Sequence, residues 1–199
     1  MKNKLIDQII ETNKHLPFKE YKANDIVFFE EQPCEYISII LKGSIYMSTF
    51  FNEKEIKFNY MKKGSLFGHN LIFNNNNKYQ AHVIASEKTK IINLTKEEFL
   101  KTLQNLNILE NYLNYLSKVT LEDKEQIKLL RMVKIEDKIK YILCKNKGVY
   151  RYKNIASFAS FIGTHRETLS RELSRLEGTG LIRKDKNTIR SNCDCCDKN

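Results

Sequence analysis

The sequence predicts an α+β chain: an N-terminal antiparallel β-roll, then one long helix, then a C-terminal winged helix-turn-helix. Three observations carry this expectation. Short β-rich runs punctuated by turn residues continue up to Leu94, a heptad-spaced apolar seam runs from Leu106 to Leu130, and a helix, glycine turn, helix and hairpin follow Val133. The expected boundaries are 1–104 for the roll, 105–131 for the long helix and 132–199 for the winged domain.

The roll rests on six β-rich runs: Ile26 to Phe29, Tyr36 to Leu41, Ile45 to Met47, Ile56 to Tyr60, Ala81 to Ala85, and Ile91 to Leu94. Lys42-Gly43-Ser44, Lys62-Lys63-Gly64-Ser65 and the run Asn74 to Asn77 supply turn chemistry between them. Strands at this spacing suit an antiparallel barrel or jelly roll.

After Thr95-Lys96-Glu97-Glu98, a capping-box pattern, the apolar period changes from two to that of a helix. Leu106, Leu109, Leu113, Leu116, Thr120, Asp123, Ile127 and Leu130 alternate in steps of three and four, which is a heptad seam. Such a seam suits a helix packed on its symmetry mate; the competing arrangement is a helix lying on its own roll. Asp123 weakens the seam locally and marks a candidate hinge.

In the third region, Ile135, Ile139, Ile142 and Leu143 trace one amphipathic helix. Ile155, Phe158, Ala159 and Ile162 trace a second that ends at Gly163. A third runs from about His165 to Glu177 and stops at Gly178-Thr179-Gly180. Leu181-Ile182-Arg183, the turn Asp185-Lys186-Asn187, and Thr188-Ile189-Arg190 then form a hairpin, the wing.

Composition narrows the function classes. The 199 residues are 41% hydrophobic and 29% charged, with 7 Gly and 2 Pro, as in an ordinary globular chain. No apolar run approaches the roughly 20 residues of a membrane span. Met1 to Leu16, broken by Asp7, Glu11 and Lys14, does not read as a signal peptide, so a cytoplasmic location and no membrane partner are expected. The formal charge is +10, and it is unevenly placed. Residues 132–199 hold 15 Lys/Arg against 8 Asp/Glu, a net of +7, whereas residues 1–131 hold 19 against 16. The basic end is thus the winged domain, and a polyanionic partner is expected there.

Within the third helix Leu169, Leu173 and Leu176 share one face, which leaves Arg166, Glu167, Ser170, Arg171 and Ser174 on the other. Arg grips guanine bidentately, Glu accepts from cytosine, and a hydroxyl serves a base or a phosphate. Arg166, Glu167, Ser170 and Arg171 are therefore the candidate base readers. Thr164, His165, Thr168, Ser174, Arg175, Arg183, Lys184, Lys186 and Arg190 are candidates for the DNA backbone. Thr164 to Glu167 also fits a capping box, a competing use for the Glu167 carboxylate.

These residues carry a resemblance. Phe158 to Arg171, followed by Leu176-Glu177 and Gly180-Leu181-Ile182, resembles the DNA-binding signature of the Crp/Fnr superfamily, and the order of regions matches along nearly the whole chain. The resemblance implies a cyclic-nucleotide-binding-like jelly roll and a dimerisation helix. It further implies a homodimeric transcription regulator acting on a near-palindromic double-stranded DNA operator, with RNA polymerase as partner if it activates. The cyclic-AMP receptor branch reads DNA with residues matching Arg166, Glu167 and Arg171, and the Fnr branch with those matching Glu167, Ser170 and Arg171. Half-sites related to TGTGA or TTGAT are both compatible.

The family's phosphate-binding cassette falls on Phe67 to Leu71 and Lys78 to Ala81. Cyclic-AMP binders carry Glu where this chain has His69, Arg where it has Tyr79, and Ser or Thr where it has Gln80. Without that Arg the cyclic phosphate lacks its charge-assisted partner. The pocket of Gly68, His69, Asn70, Tyr79 and Gln80 is therefore expected to be degenerate and to serve an effector other than cyclic AMP, or none.

No cofactor is expected, with two alternatives. The resemblance admits haem on His69 or His82. Cys193, Cys195 and Cys196 overlay C-x-x-C on C-x-C, which suits a metal or an iron–sulfur cluster if Cys34, Cys144 or a carboxylate completes the set. A redox or metal sensor using those cysteines, and a roll-type sensor module without specific DNA binding, are the rival functions. No P-loop, dinucleotide fingerprint or H-E-x-x-H occurs, so no enzyme is expected.

Overall fold

The computed structural model describes residues 4–192, arranged as two compact units that meet in sequence at Leu116 and Ser117. The division falls inside the long helix rather than at either end of it.

The first unit opens with helix α1 (Lys4–Thr12), which buries Leu5, Ile6 and Ile9. Two four-stranded antiparallel sheets follow. One is built from β1 (Phe18–Tyr21), β8 (Thr89–Thr95), β3 (Tyr36–Lys42) and β6 (Leu66–Phe67), in that order. The other runs β2 (Ile26–Phe28), β7 (His82–Ala85), β4 (Ser44–Phe51) and β5 (Lys54–Lys62). Ile37, Ile39, Ile45, Val83, Ile91 and Leu94 are among its fully buried aliphatic side chains. In β3 four consecutive residues, Ile37 to Ile40, are buried, so this strand is covered on both faces. Helix α2 (Lys96–Thr102) packs on β3 and β8. It starts at the expected capping box: Thr95 Oγ1 accepts from the Glu98 N–H, and Glu98 accepts from the Thr95 N–H.

Helix α1, β1 and β6 had no counterpart in the sequence expectation. The signal for α1 was present as Leu5, Ile6, Ile9 and Ile10, two adjacent pairs one helical turn apart, but charged residues between them mask it. Asn13, buried just past α1, donates to Thr102 Oγ1 at 2.9 Å and so ties α1 to α2.

Helix α3 (Leu106–Arg131) runs unbroken through Asp123, so no break in the helix stands at the candidate hinge: one polar residue on an exposed face does not interrupt a backbone ladder. Its Ile108 and Tyr112 join the core of the first unit, with Tyr115 and Leu116 packed beside them. Seam residues Leu106, Leu113, Ile127 and Leu130 are 78%, 53%, 51% and 46% exposed. The helix thus uses one face inside its own chain and leaves most of the heptad seam bare.

The second unit contains α4 (Ile135–Lys145), β9 (Val149–Arg151), α5 (Ile155–Phe161), α6 (Arg166–Gly178), β10 (Ile182–Asp185) and β11 (Thr188–Ser191). Its core gathers Leu129, Ile139, Ile142, Phe158, Leu169 and Leu173 with neighbours from the same helices and the hairpin. The wing is three-stranded, because β9 pairs with β11. Three residues are too few to announce a strand by alternation, so β9 was not read from sequence.

Candidate nucleic-acid interface and β-roll cavity

The turn between α5 and α6 is built by full satisfaction of the α5 C-terminus. A helix end leaves four carbonyls without partners. Thr164 N–H bonds Ala159 O at 2.9 Å and Gly163 N–H bonds Ser160 O at 3.1 Å, with Gly163 at φ +68. This is a Schellman motif, which requires a left-handed residue at the position Gly163 occupies. The next carbonyl, Phe161 O, accepts from Gln126 Nε2 of α3 at 2.6 Å, and Ile162 O accepts from Lys138 Nζ of α4 at 2.7 Å. Neither Gln126 nor Lys138 figured in the sequence expectation, because their role depends on tertiary placement.

Helix α6 buries Leu169, Leu173 and Leu176 and exposes Arg166, Glu167, Ser170, Arg171 and Ser174. Its N-cap is His165, without a side-chain capping bond, so the expected Thr164–Glu167 capping box does not form. The helix starts one residue later than that motif requires, and Glu167 points outward without an ion pair among the described residues. Arg166 and Arg171 are likewise exposed and unpaired among the described residues, as is His165; Thr164 and Thr168 are half-buried. The helix closes with a second Schellman motif at Gly180, φ +73, where Leu181 N–H bonds Leu176 O.

The basic residues divide into two sets. Arg175 is engaged by two carboxylates, Glu172 at 2.8 Å and Glu136 at 2.5 Å, and these, Glu172 foremost, hold its pKa above the ordinary guanidinium value. Lys184 Nζ lies 3.3 Å from Glu177 and 3.5 Å from Ser174 Oγ. These two candidates already have partners inside the unit. Arg183, Lys186 and Arg190 have none among the described residues. Arg183 and Arg190 stand directly opposite each other across the β10–β11 ladder, both exposed. Like charges in that position repel, and an anion laid over the wing relieves them.

In the roll, a cavity of about 200 Å³ lies between β4, β5 and the segment around Gly68 and Tyr79. Met47, Met61, Phe67, Leu71 and Val83 contribute apolar wall, and Asn59, Asn70 and Gln80 contribute carboxamides. Tyr79 is 1% exposed, stacks on Phe28 at 4.7 Å between centroids, and keeps its hydroxyl beside the Cys34 thiol without an ordinary hydrogen bond. Burial pushes the Cys34 thiol up and so keeps it protonated. His69 does not line the cavity. Its ring packs edge-on to Tyr112 and Tyr115, its Nδ1 has no hydrogen-bond partner among the described residues, and burial lowers its pKa.

Two family models match this chain. The cyclic nucleotide-binding domain matches residues 18–105, and the Crp-like helix-turn-helix domain matches residues 154–192. The chain belongs to the Crp/Fnr family. It is a transcription regulator of that type, with a DNA-binding helix-turn-helix. Among curated relatives, the cyclic AMP receptor protein of Thermus thermophilus is 23% identical over 178 residues, spanning 85% of this chain and 81% of the relative. Among solved structures, the c-di-GMP-responsive global regulator CLP of Xanthomonas campestris superposes with a TM-score of 0.63 at 18% identity, covering 93% of this chain and 98% of that one. A mutant of CooA from Carboxydothermus hydrogenoformans gives 0.64 at 15% identity, covering 90% and 85%. Likeness at these identities establishes the shared fold.

Set within the Crp/Fnr fold, the cassette departures have physical meaning. Gly68, Asn70, Tyr79 and Gln80 line the cavity, and Tyr79, where the resemblance leads one to expect the cyclic-AMP binder's Arg, is sunk into the core. His82 accepts the Glu30 N–H on Nδ1 at 3.1 Å, which occupies one of its two ring nitrogens. Among the described residues no three His, Cys, Asp or Glu side chains cluster as metal ligands, and no helix is long and apolar enough to cross a membrane. Cys193, Cys195 and Cys196 lie outside the described residues; Cys34 is buried and Cys144 exposed.

Proposed function

We propose that this chain acts as a homodimer that binds a near-palindromic operator. Arg166, Glu167, Ser170 and Arg171 read base edges, and Arg183, Lys186 and Arg190 hold phosphates. The observation that carries this reading is the outward face of α6, where two arginines and a glutamate stand without partners among the described residues while the leucine face is locked into the core. Unpaired guanidinium groups on a helix of this kind are free to grip guanine in the major groove. The bare seam of α3 supports pairing of two chains, which places two readers about one DNA turn apart.

An effector bound in the roll, other than cyclic AMP, then shifts affinity for DNA to the extent that it favours one arrangement of the dimer. The absence of a cation among the described cavity-lining residues supports that exclusion. If the chain activates transcription, RNA polymerase is its further partner.

Selection of binding sites from random DNA tests the reading, with wild type and Arg171→Ala run in parallel at a fixed, stated salt. The expected result is an enriched inverted repeat for wild type and lost preference at one guanine for the variant. An unchanged base preference in Arg171→Ala removes its assigned role, and enrichment of single half-sites only would argue against the dimer.

A further inference from the structure

We infer that the β-roll cavity takes an uncharged, largely apolar small molecule on the scale of a substituted single ring, gripped at its polar edge by side-chain carboxamides. This deepens the sensing role proposed above. Among the described residues the lining contains no Asp, Glu, Lys, Arg or His. An ion placed there loses hydration without gaining a counter-charge, whereas an apolar body gains from Met47, Met61, Leu71 and Val83. Volume sets only the scale: an enclosed apolar cavity of about 150 Å³ holds benzene, and this one is about 200 Å³ and open to solvent past Asn59, Asn70 and Gln80.

Strand β5 is deformed to make the site. In its ladder with β4, Ile45 pairs with Met61 and Met47 pairs with Phe58, so Asn59 and Tyr60 together oppose Tyr46. That is a β-bulge, and Asn59 sits in it at φ +49. Adjacent strand residues ordinarily face opposite sides, yet Phe58 and Asn59 both line the cavity. The bulge turns a hydrogen-bonding side chain inward that a regular strand would turn away. Asn59 Nδ2 rests 3.3 Å from Met47 Sδ, a weak acceptor that a ligand oxygen readily replaces. Asn70 and Gln80 add two further carboxamides with no side-chain hydrogen bond among the described residues.

Benzamide and benzoate differ in charge and hardly in shape, so the pair isolates the claim. Titration of the full chain, without DNA, is followed by ligand-observed NMR with benzamide, benzoate and cyclic AMP as probes. Benzamide is expected to bind in roughly the millimolar range or tighter, with benzoate at least about tenfold weaker and cyclic AMP silent. Met61→Trp, on an edge strand, should fill the cavity and abolish benzamide binding. Asn70→Ala, at an exposed position, should weaken it severalfold and keeps the test valid if the tryptophan variant misfolds. Benzoate or cyclic AMP binding as tightly as benzamide overturns the inference, as does no benzamide binding at all or benzamide binding indifferent to both substitutions. Because no DNA is present, failure here leaves the operator reading untouched, and failure of site selection leaves this result standing.

Discussion

Lys138 Nζ donates to Ile162 O at 2.7 Å from a side chain only 6% exposed, so a buried ammonium closes the C-terminus of α5 at the turn before the reading helix. No carboxylate pairs with it among the described residues; the negative end of α5 and its free carbonyl receive the charge. Lys138→Met keeps the stem and removes the donor. It should cost about 1–3 kcal/mol, since a buried carbonyl is left unpaired. Urea denaturation checks this through the midpoint, and a midpoint that rises would mean that desolvation of the ammonium outweighs its bond.

Gly163 combines φ +68 with close approach: an added Cβ would stand 2.7 Å from Leu130 Cδ2. Gly163→Ala should therefore destabilise by about 1–2 kcal/mol from the left-handed conformation alone, with the clash added. Leu130→Ala in the same chain should return the clash portion and leave the conformational portion. A double-mutant cycle by thermal or chemical unfolding reads the coupling, and strict additivity would show that the contact does not matter.

The wing and α6 separate two kinds of arginine. Arg190→Ala should weaken binding to all DNA sequences alike and lower the slope of log affinity against log salt by about 1. Arg175→Ala should leave that slope nearly unchanged, because Glu136 and Glu172 already hold the guanidinium. Equal slope losses in both variants would mean that DNA strips Arg175 from its carboxylates.

His69 ties stability to pH. Burial lowers its folded-state pKa below the ordinary 6.5, so the unfolded chain binds the proton more readily. The contribution is therefore fully present above about pH 6.5 and is lost as pH falls from there through the lower folded value. In His69→Phe the loss of stability over that interval should be smaller than in wild type, measured by denaturation at several pH values. Superimposable profiles would exclude the histidine as the source.

Sequence patterning was most legible where one period persisted. The leucines of α6, the glycine punctuation at Gly163 and Gly180, and the Thr95–Glu98 cap all have local signatures, and each forms as read. Strands β6 and β9, of two and three residues, are fixed by their ladders and were invisible locally. The Thr164–Glu167 box was locally plausible, but the Schellman turn at Gly163 spends the Thr164 N–H on Ala159 and starts the helix later. Arg175 and Lys184 read as free cations because Glu136 and Glu177 meet them only in the fold; Glu172, three residues before Arg175 on the same helix, is the one partner that local spacing offered. The inward turn of Asn59 depends on a bulge that no residue pattern in β5 announces.

Gln126, which holds Phe161 O, and Leu130, which abuts Gly163, lie one helical turn apart on α3, with Ile127 bare beside them. A second chain seated on Ile127 and Leu130, as proposed above, would press on the same stretch of backbone that leads into α6. In the proposed dimer, a signal reaching that seam would have no distance left to travel, since Gln126, Ile127 and Leu130 would receive it and pass it on within one turn of helix.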